Sequence, residues 1–134
     1  MTLSSVAARL LAGATAHAQL AVSVSPVKVT GSKALVKLEL KNTFAEKVES
    51  ARAVCFLTDE QGKVVSQSTQ WVIGGTRERP ALEPGATNQF HFVIAAERTT
   101  STNLQARVNF SRVILDGGKL ADVNAGVQIT NAGR

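Results

Sequence analysis

One cysteine and one histidine carry the most reactive side chains in this chain downstream of position 18. Cys55 is the single cysteine of the sequence, and His91 is the one histidine in that region. A thiol and an imidazole held together form a nucleophile with its base, or two ligands of a soft metal ion. Cys55, however, belongs to the most apolar run, residues 51–57, where a free cysteine usually packs as a small hydrophobe. His91 alternates with Phe90 and Phe92 and is expected to face solvent. The sequence therefore predicts no coupled Cys–His site.

No other catalytic or cofactor-binding signature is found in the sequence. The serines and threonines lack the Gly-x-Ser-x-Gly context of a nucleophile elbow. The glycine pairs at 74–75 and 117–118 stand at turns, without the following helix that a phosphate-binding loop requires. No local cluster offers the nitrogen, sulfur and carboxylate ligands of a zinc or copper site. We expect a protein that is not an enzyme and that holds no cofactor or metal ion.

A tryptophan beside an arginine-containing loop is the first candidate for a binding surface. Trp71 precedes the glycine-rich loop 74–80, which contains Arg77 and Arg79. Large apolar side chains in a sandwich mostly pack, so Trp71 is interpreted first as a core or sheet-edge anchor. The other interpretation is an exposed ring that contacts a glycan or a partner protein.

Arginines on two neighbouring predicted strands form the second candidate. Arg52 projects from one strand, and Arg107, together with Arg112, projects from the other, on the side where Gln105 and Asn109 also point. Such a face can bind carboxylates or acidic partners. The competing interpretation is a solvated face that protects the sheet from aggregation. The predicted partner-binding surface combines Trp71, Arg77, Arg79, Arg52 and Arg107.

Short strands with period-two alternation are the elements that must position these residues. Residues 36–41 alternate strictly between apolar and charged side chains, and residues 90–94 and 104–110 repeat the pattern. Residues 51–57 are apolar on both faces, as in a central strand, whereas the more polar 64–73 is typical of an edge. Residues 123–129 complete the set. We predict an all-β fold: an immunoglobulin-like antiparallel sandwich of about seven strands.

Proline and turn residues predict where strands break. The apolar register changes at Pro26, and a first strand that breaks at proline and crosses to the opposite sheet is common in immunoglobulin-like sandwiches. Asp59 is expected to bond its own downstream backbone while Gly62 takes a positive φ and closes a hairpin. Pro84 and Gly85 predict a second tight turn.

The first eighteen residues resemble an export signal rather than part of the domain. Residues 6–14 are short, apolar and rich in small side chains, and Ala16-His17-Ala18 has the small-x-small form of a cleavage site. Residues 1–18 are therefore predicted to be a cleaved signal peptide and residues 19–134 one sandwich domain. An amphipathic helix packed on the domain is the alternative. No later stretch reaches the roughly 20 apolar residues of a membrane span.

The charge balance limits the classes of partner. The formal net charge is +5, without runs of Lys or Arg, so the sequence favours an anionic surface and does not indicate nucleic-acid binding. A single cysteine excludes an intramolecular disulfide, and the domain must be held by packing.

Three segments of the sequence resemble motifs of a known family. They are similar to the FxLYD family of bacterial immunoglobulin-like domains, in which a strand ends in Asn, the next strand ends in Leu-Tyr-Asp, and a Leu-x-Pro-Gly loop leads to Phe. The match covers Val36 to Ile94, with Cys55 and Thr58 where the family has Phe and Tyr. The segments are Leu38-Glu39-Leu40-Lys41-Asn42-Thr43, Phe56-Leu57-Thr58-Asp59-Glu60-Gln61-Gly62-Lys63-Val64-Val65, and Leu82-Glu83-Pro84-Gly85 with Phe90.

The resemblance implies an exported, non-catalytic module and supplies no catalytic residues. The leading hypothesis is a soluble module of the periplasm or the extracellular space, acting in protein or surface recognition or as a structural envelope component. Its partner would be another envelope or extracellular protein or an anionic surface. The competing hypothesis is a small-ligand or metal carrier that uses the gap between the sheets. The sequence leaves the oligomeric state open.

Overall fold

The computed structural model describes residues 18–96 and 103–131, which form eight strands in two packed sheets. The predicted signal peptide lies outside the described residues except for Ala18. A short 3₁₀ turn, Asp116–Gly118, follows the seventh strand. The strands are β1 (Leu20–Val24), β2 (Lys28–Thr30), β3 (Lys33–Asn42), β4 (Val48–Thr58), β5 (Val64–Ile73), β6 (Thr87–Ala95), β7 (Gln105–Leu115) and β8 (Val127–Asn131).

The larger sheet, sheet I, is built around β3. On one side β3 pairs antiparallel with β6 over its whole length, and on the other it pairs with β1 and then with β2. β8 completes the sheet by pairing parallel with β1, with Leu20 opposite Val127 and Val24 opposite Asn131. The first and last strands of the described chain are therefore neighbours that run in the same direction.

The smaller sheet, sheet II, has β4 at its centre. β5 and β7 flank β4, both antiparallel to it, so the predicted central strand and the predicted edge strand at 64–73 are confirmed. Bulges interrupt both ladders close to Arg52, where β5 and β7 change register against β4. The predicted all-β sandwich is thus confirmed, with the antiparallel ladders of both sheets as its main framework.

The core lies between the sheets and consists mostly of aliphatic side chains. The alternation predicted for β3 and β6 is confirmed, because Val36, Leu38 and Leu40 are buried with Phe92 and Ile94 while the intervening residues are not. Cys55 and Leu57 contribute from β4, Val108 and Phe110 from β7. Because aromatic residues are scarce, Val, Leu and Ala side chains provide most of the buried apolar surface.

One buried polar residue joins three segments at one end of the sandwich. Asn42, the last residue of β3, is fully buried, and its Nδ2 donates to the carbonyl oxygens of Glu46 and Leu82, both at 2.9 Å. Its Oδ1 accepts from the backbone N of Phe44 at 2.8 Å. Its backbone exchanges hydrogen bonds with the 85–86 turn. Asn42 thereby holds the Leu82–Gly85 loop against the strand end.

The predicted turn chemistry is confirmed. Asp59 Oδ1 accepts from the backbone N of Gln61 and of Lys63, each at 2.9 Å, and Gly62 has a φ of 80°. Gly85, after Pro84, has a φ of 77°. These residues close the β4–β5 hairpin and the loop before β6, as their conformational preferences require.

Two predictions at the ends of the chain are corrected. The first strand breaks at Pro26, but β2 does not cross to the opposite sheet: β1 and β2 both pair with β3, and Ser25 N still donates to Lys37 O. The last strand begins at Val127, not at Val123, because Asp122 forms a tight turn in which its side chain accepts from the backbone N of Asn124 and of Ala125. Local side-chain bonding therefore replaces the predicted ladder there.

Across the described ranges, we find no helix with the length and apolar character that crossing a membrane requires.

Candidate functional site

The outer face of sheet II brings together most of the arginine and aromatic residues that the sequence singled out. The pairings Arg52–Trp71, Phe56–Arg107 and Arg52–Arg112 place these five side chains on the same side of the three strands. Arg52, Arg107 and Arg112 are exposed, whereas Phe56 and Trp71 are half-buried. We call this set of five residues the cationic face. It is positioned by the backbone of β4, β5 and β7 and not by loops.

At one end of the cationic face, Arg52 packs beside Trp71. The guanidinium carbon of Arg52 is 6.0 Å from the centroid of the Trp71 ring. On the loop that follows β5, Gly75 presses against the same indole: a β-carbon at position 75 would collide with Trp71 Cγ. Trp71 is thus held at the sheet edge, outside the core between the sheets. This position agrees with the edge-anchor interpretation and leaves the half-buried ring partly accessible on the outer face.

At the other end of the cationic face, Arg107 lies over Phe56. The distance from the guanidinium carbon to the ring centroid is 5.2 Å, within the range of a cation–π contact. Sequence reasoning missed Phe56 as a member of this surface. The signal was present, because Phe56 lies four residues after Arg52 and period-two alternation places both on one face of β4.

The third arginine raises the positive charge density where β4 and β7 change register. Arg112 lies directly opposite Arg52, and the bulged residue Ser111 donates its hydroxyl to the Arg52 carbonyl oxygen at 3.4 Å. Ion pairs in the described part of the chain join Lys37 to Glu39 and Lys119 to Glu46, and none involves the cationic face. The three guanidinium groups therefore have their hydrogen-bond donors available to a ligand.

The loop arginines do not join the cationic face as one surface. Arg79 turns to sheet I, where its guanidinium carbon is 5.1 Å from the Phe90 ring centroid. Residues 78–83 and 87–90 share a surface depression of about 470 Å³ there. Arg77 is exposed on the 74–80 loop. The predicted five-residue surface is therefore divided: Arg52, Trp71 and Arg107 lie together, and Arg79 lies on the other sheet.

The cysteine and the histidine are on different sheets and face different environments. Cys55 is fully buried on the inner side of β4, and burial raises the pKa of its thiol to about 12. His91 is exposed on the outer side of β6, opposite Lys37 of β3. The predicted burial of Cys55 and exposure of His91 are confirmed. The raised pKa keeps the thiol protonated at neutral pH, so burial gives Cys55 none of the activation that a low-pKa nucleophilic thiol has.

Metal-ligand groups and surface depressions are the features that bear on the competing carrier hypothesis. No group of three His, Cys, Asp or Glu side chains within ranges 18–96 and 103–131 is arranged to hold a metal ion. A depression of about 670 Å³ is lined by residues of β1, β3, β6 and β8, among them Ser23, Lys41 and Gln89, on the outer side of sheet I. It therefore lies on the protein surface and not in the gap between the sheets.

Comparison with known proteins supports the fold. No family model matches the chain, and no curated protein matches it. A Bordetella pertussis protein described as ApaA is similar in structure, with 18% identity, a TM-score of 0.56, and coverage of 77% of this chain and 85% of that one. The structural-genomics target SoR45 is 15% identical, with a TM-score of 0.51 and 77% coverage of both chains. IrmA from Escherichia coli is 11% identical, with a TM-score of 0.49.

Proposed function

We propose that this chain is an exported, non-catalytic immunoglobulin-like module that recognises an acidic partner through the cationic face of sheet II. The observation that carries the proposal is the association of three exposed arginines with two half-buried aromatic rings, without a carboxylate of the described chain among them. The partner would be an envelope or extracellular protein, or an anionic surface of that compartment. Residues 1–18 would act as the export signal, as the sequence predicts, and the FxLYD-like segments agree with a module of this class.

The chemistry of the cationic face favours carboxylates as ligands. A guanidinium presents its donors in a planar fork that matches a carboxylate. An arginine side chain that stacks on an aromatic ring already has fewer conformations, so it loses less entropy when a ligand binds. Arg52 and Arg107 are held in this way by Trp71 and Phe56. Arg107 lies opposite Phe56, which is four residues from Arg52 along β4. The two arginines are therefore separated by about 13 Å along the strands and by one strand spacing across the sheet, so one extended acidic surface can reach both.

The test measures binding to immobilised poly-L-glutamate as a defined acidic probe. The variant carries Arg52→Gln and Arg107→Gln, and its matched control carries Lys33→Gln and Lys37→Gln on the outer side of sheet I. Both variants lose two positive charges. We expect the arginine variant to elute at a clearly lower salt concentration than the control, because site-directed contacts add to the general charge attraction.

Equal elution of the two variants would contradict the proposal, since net charge alone would then explain binding. The same pair of variants, with Arg52→Glu and Arg107→Glu as a stronger form, is then used in pull-downs from envelope extract. A partner that is retained by the lysine control and lost by the arginine variants supports recognition through the cationic face.

A further inference from the structure

β5 is the longest strand in the described chain that has neither a charged residue nor a proline. β5 pairs with β4 along one side, and among residues 18–96 and 103–131 nothing pairs with its other side. An unpaired edge presents a row of N–H and C=O groups that another strand can bind, and soluble proteins usually protect such edges with charge, proline or short length. Its bulges lie near its two ends, so the ladder from Ser66 to Trp71 is regular.

The side chains along this edge are polar and neutral on both sides of the sheet. Gln67 and Thr69 point to the outer side, opposite Phe56 and Val54, and Ser66, Ser68 and Gln70 point to the inner side. Sheet I does not fully cover the inner set, since Gln70 is exposed and both serines are only half-buried. A strand that pairs with residues 66–70 of β5 would contact no charged side chain there and would not need to cover an exposed apolar surface.

The other strand edges are less suited to accept a strand. The depression that holds Arg79 over Phe90 runs along the first half of β6. β7 carries Arg107 and Arg112, and the chain at 119–121 already pairs with its last residues. β8 and β2 have five and three residues.

We infer that β5 pairs antiparallel with β5 of a second copy of this chain. A two-fold pairing centred on Ser68 sets Gln67 opposite Thr69 of the second copy and Ser66 opposite Gln70, so no like charges meet across the junction. The contact is self-complementary, as an isologous dimer requires, and neutrality at the edge matters because the chain carries a net charge of +5. The association is a strand addition, in which main-chain hydrogen bonds supply the affinity.

The dimer would also change the geometry of the cationic face. The two copies of sheet II would form one continuous six-stranded sheet, β7–β4–β5 followed by the same strands in reverse order. A two-fold axis perpendicular to the sheet keeps both outer sides on the same side, so two cationic faces would point in one direction. The dimer does not depend on the proposed function. Taken together with that function, it predicts that acidic partners with repeated sites bind by two contacts.

The experiment is sedimentation velocity of the purified chain from the low-micromolar to the millimolar range. We expect a concentration-dependent monomer–dimer equilibrium. The edge variant with Gln67→Lys and Thr69→Lys places lysine opposite lysine in the dimer and should remain monomeric throughout. The matched control, with Gln105→Lys and Asn109→Lys, adds the same charge to the same face on the opposite edge strand and should dimerise like the unmodified chain.

A charge-swap mixture separates a lost interface from a misfolded variant. The chain with Gln67→Glu and Thr69→Glu should also be monomeric alone, but mixing it with the lysine edge variant should restore a dimer of opposite charges. An unmodified chain that is monomeric over the whole range, an edge variant that dimerises as well as the control, or a mixture that stays monomeric would overturn the inference. Each outcome is independent of whether the cationic face binds poly-L-glutamate.

Discussion

At the residue scale, Asn42 is the polar group on which one end of the sandwich depends. Its amide makes three hydrogen bonds to backbone groups of Phe44, Glu46 and Leu82, in a position where no water-exposed surface remains. Backbone groups buried at a strand end need partners, because an unsatisfied donor or acceptor costs about 1–3 kcal/mol. Asn42 supplies both donors and an acceptor from one side chain.

Replacing Asn42 by alanine should lower the free energy of unfolding by about 2 kcal/mol, since the part-buried Phe44 N and Glu46 carbonyl lose their Asn42 partner while the Leu82 carbonyl keeps its bond from Val48 N. Urea denaturation followed by circular dichroism measures the change. The control is Asn88→Ala on β6, where the side chain is exposed and accepts from the neighbouring backbone N of Gln89, so a loss below about 0.5 kcal/mol is expected. A similar small loss for both variants would contradict the role of Asn42.

The Cys55 thiol leads to a prediction about pH. Burial raises its pKa from 9.0 to about 12 in the folded chain, so the folded state holds the thiol proton more tightly than the unfolded state does. The contribution to stability is therefore complete below about pH 9 and is lost as the pH rises toward about 12. We expect Cys55→Ala, although less stable at neutral pH, to lose less unfolding free energy than the unmodified chain between about pH 8 and about pH 10.5.

Thiol labelling with an aromatic disulfide reagent measures the same protection. At pH 8 the folded chain should react slowly, at a rate that rises with urea in proportion to the unfolded fraction. Rapid labelling without urea would show that the thiol is accessible.

The sequence predicts the environment of Cys55 better than that of Asn42. The apolar run around Cys55 predicts its burial. The alternation of Val36, Leu38 and Leu40 also places Asn42 on the inner side of β3. Alternation does not show, however, which backbone groups form hydrogen bonds with the buried amide. Those partners lie on segments that converge only in the folded chain.

At the scale of elements, the loop after β5 and the end of that strand depend on each other. Gly74 and Gly75 both have positive φ, at 59° and 81°, and each lies against a neighbour. A β-carbon would collide with the Glu49 carbonyl oxygen at Gly74 and with the indole of Trp71 at Gly75. The glycine pair therefore sets the position of one end of the cationic face.

Replacing Gly75 by alanine should destabilise the chain and displace Trp71. Gly117→Ala is the matched control, because Gly117 has a similar φ of 78° but no neighbour within 4 Å of an added β-carbon. The backbone strain common to both is about 1–2 kcal/mol. We expect a larger loss for Gly75→Ala and a red shift of tryptophan fluorescence in that variant alone. Identical stability losses with unchanged emission would show that the indole does not rest on Gly75.

The strands were more predictable than their connections. Periodicity identified β3, β6 and β7 with the correct inward residues, because burial of one face imposes the alternation, whereas β4 was predicted from its continuous apolar run. It failed at residues 123–126, where Asp122 bonds to nearby backbone N–H groups and holds a turn. Periodicity also does not determine to which sheet a strand belongs after a break, and so the crossing predicted after Pro26 was wrong.

At the scale of the whole molecule, basic residues concentrate on the strands, whereas most acidic residues lie in the turns and loops between them. The strands carry seven basic residues but only two acidic ones, Glu39 and Glu49, within the described ranges. The remaining described acidic residues lie in turns and loops. Both outer sheet faces are consequently cationic, which the modest net charge of the sequence does not reveal.

Salt should separate the two proposed associations. Binding of poly-L-glutamate to the cationic face should weaken as sodium chloride increases, because screening reduces attraction between exposed opposite charges. Pairing through the neutral β5 edge should be maintained or strengthened, because salt screens the repulsion between two positively charged copies. Sedimentation and retention measured over the same salt series test both trends. A dimer that dissociates with salt in parallel with the loss of poly-L-glutamate binding would indicate that charged contacts, and not β5, join the copies.

The parallel pairing of β1 and β8 has a mechanical consequence. Leu20 begins β1 at one end of the sandwich and Asn131 ends β8 at the other, so tension applied at these two residues pulls the neighbouring strands past each other along their length. The five residue pairs of that ladder are then loaded in shear and must fail together, whereas strands pulled apart from one end would open pair by pair. Resistance to stretching is governed by the rate of that concerted rupture. The ladder between β1 and β8 should therefore withstand a higher force, applied at Leu20 and Asn131, than a ladder that opens from one end.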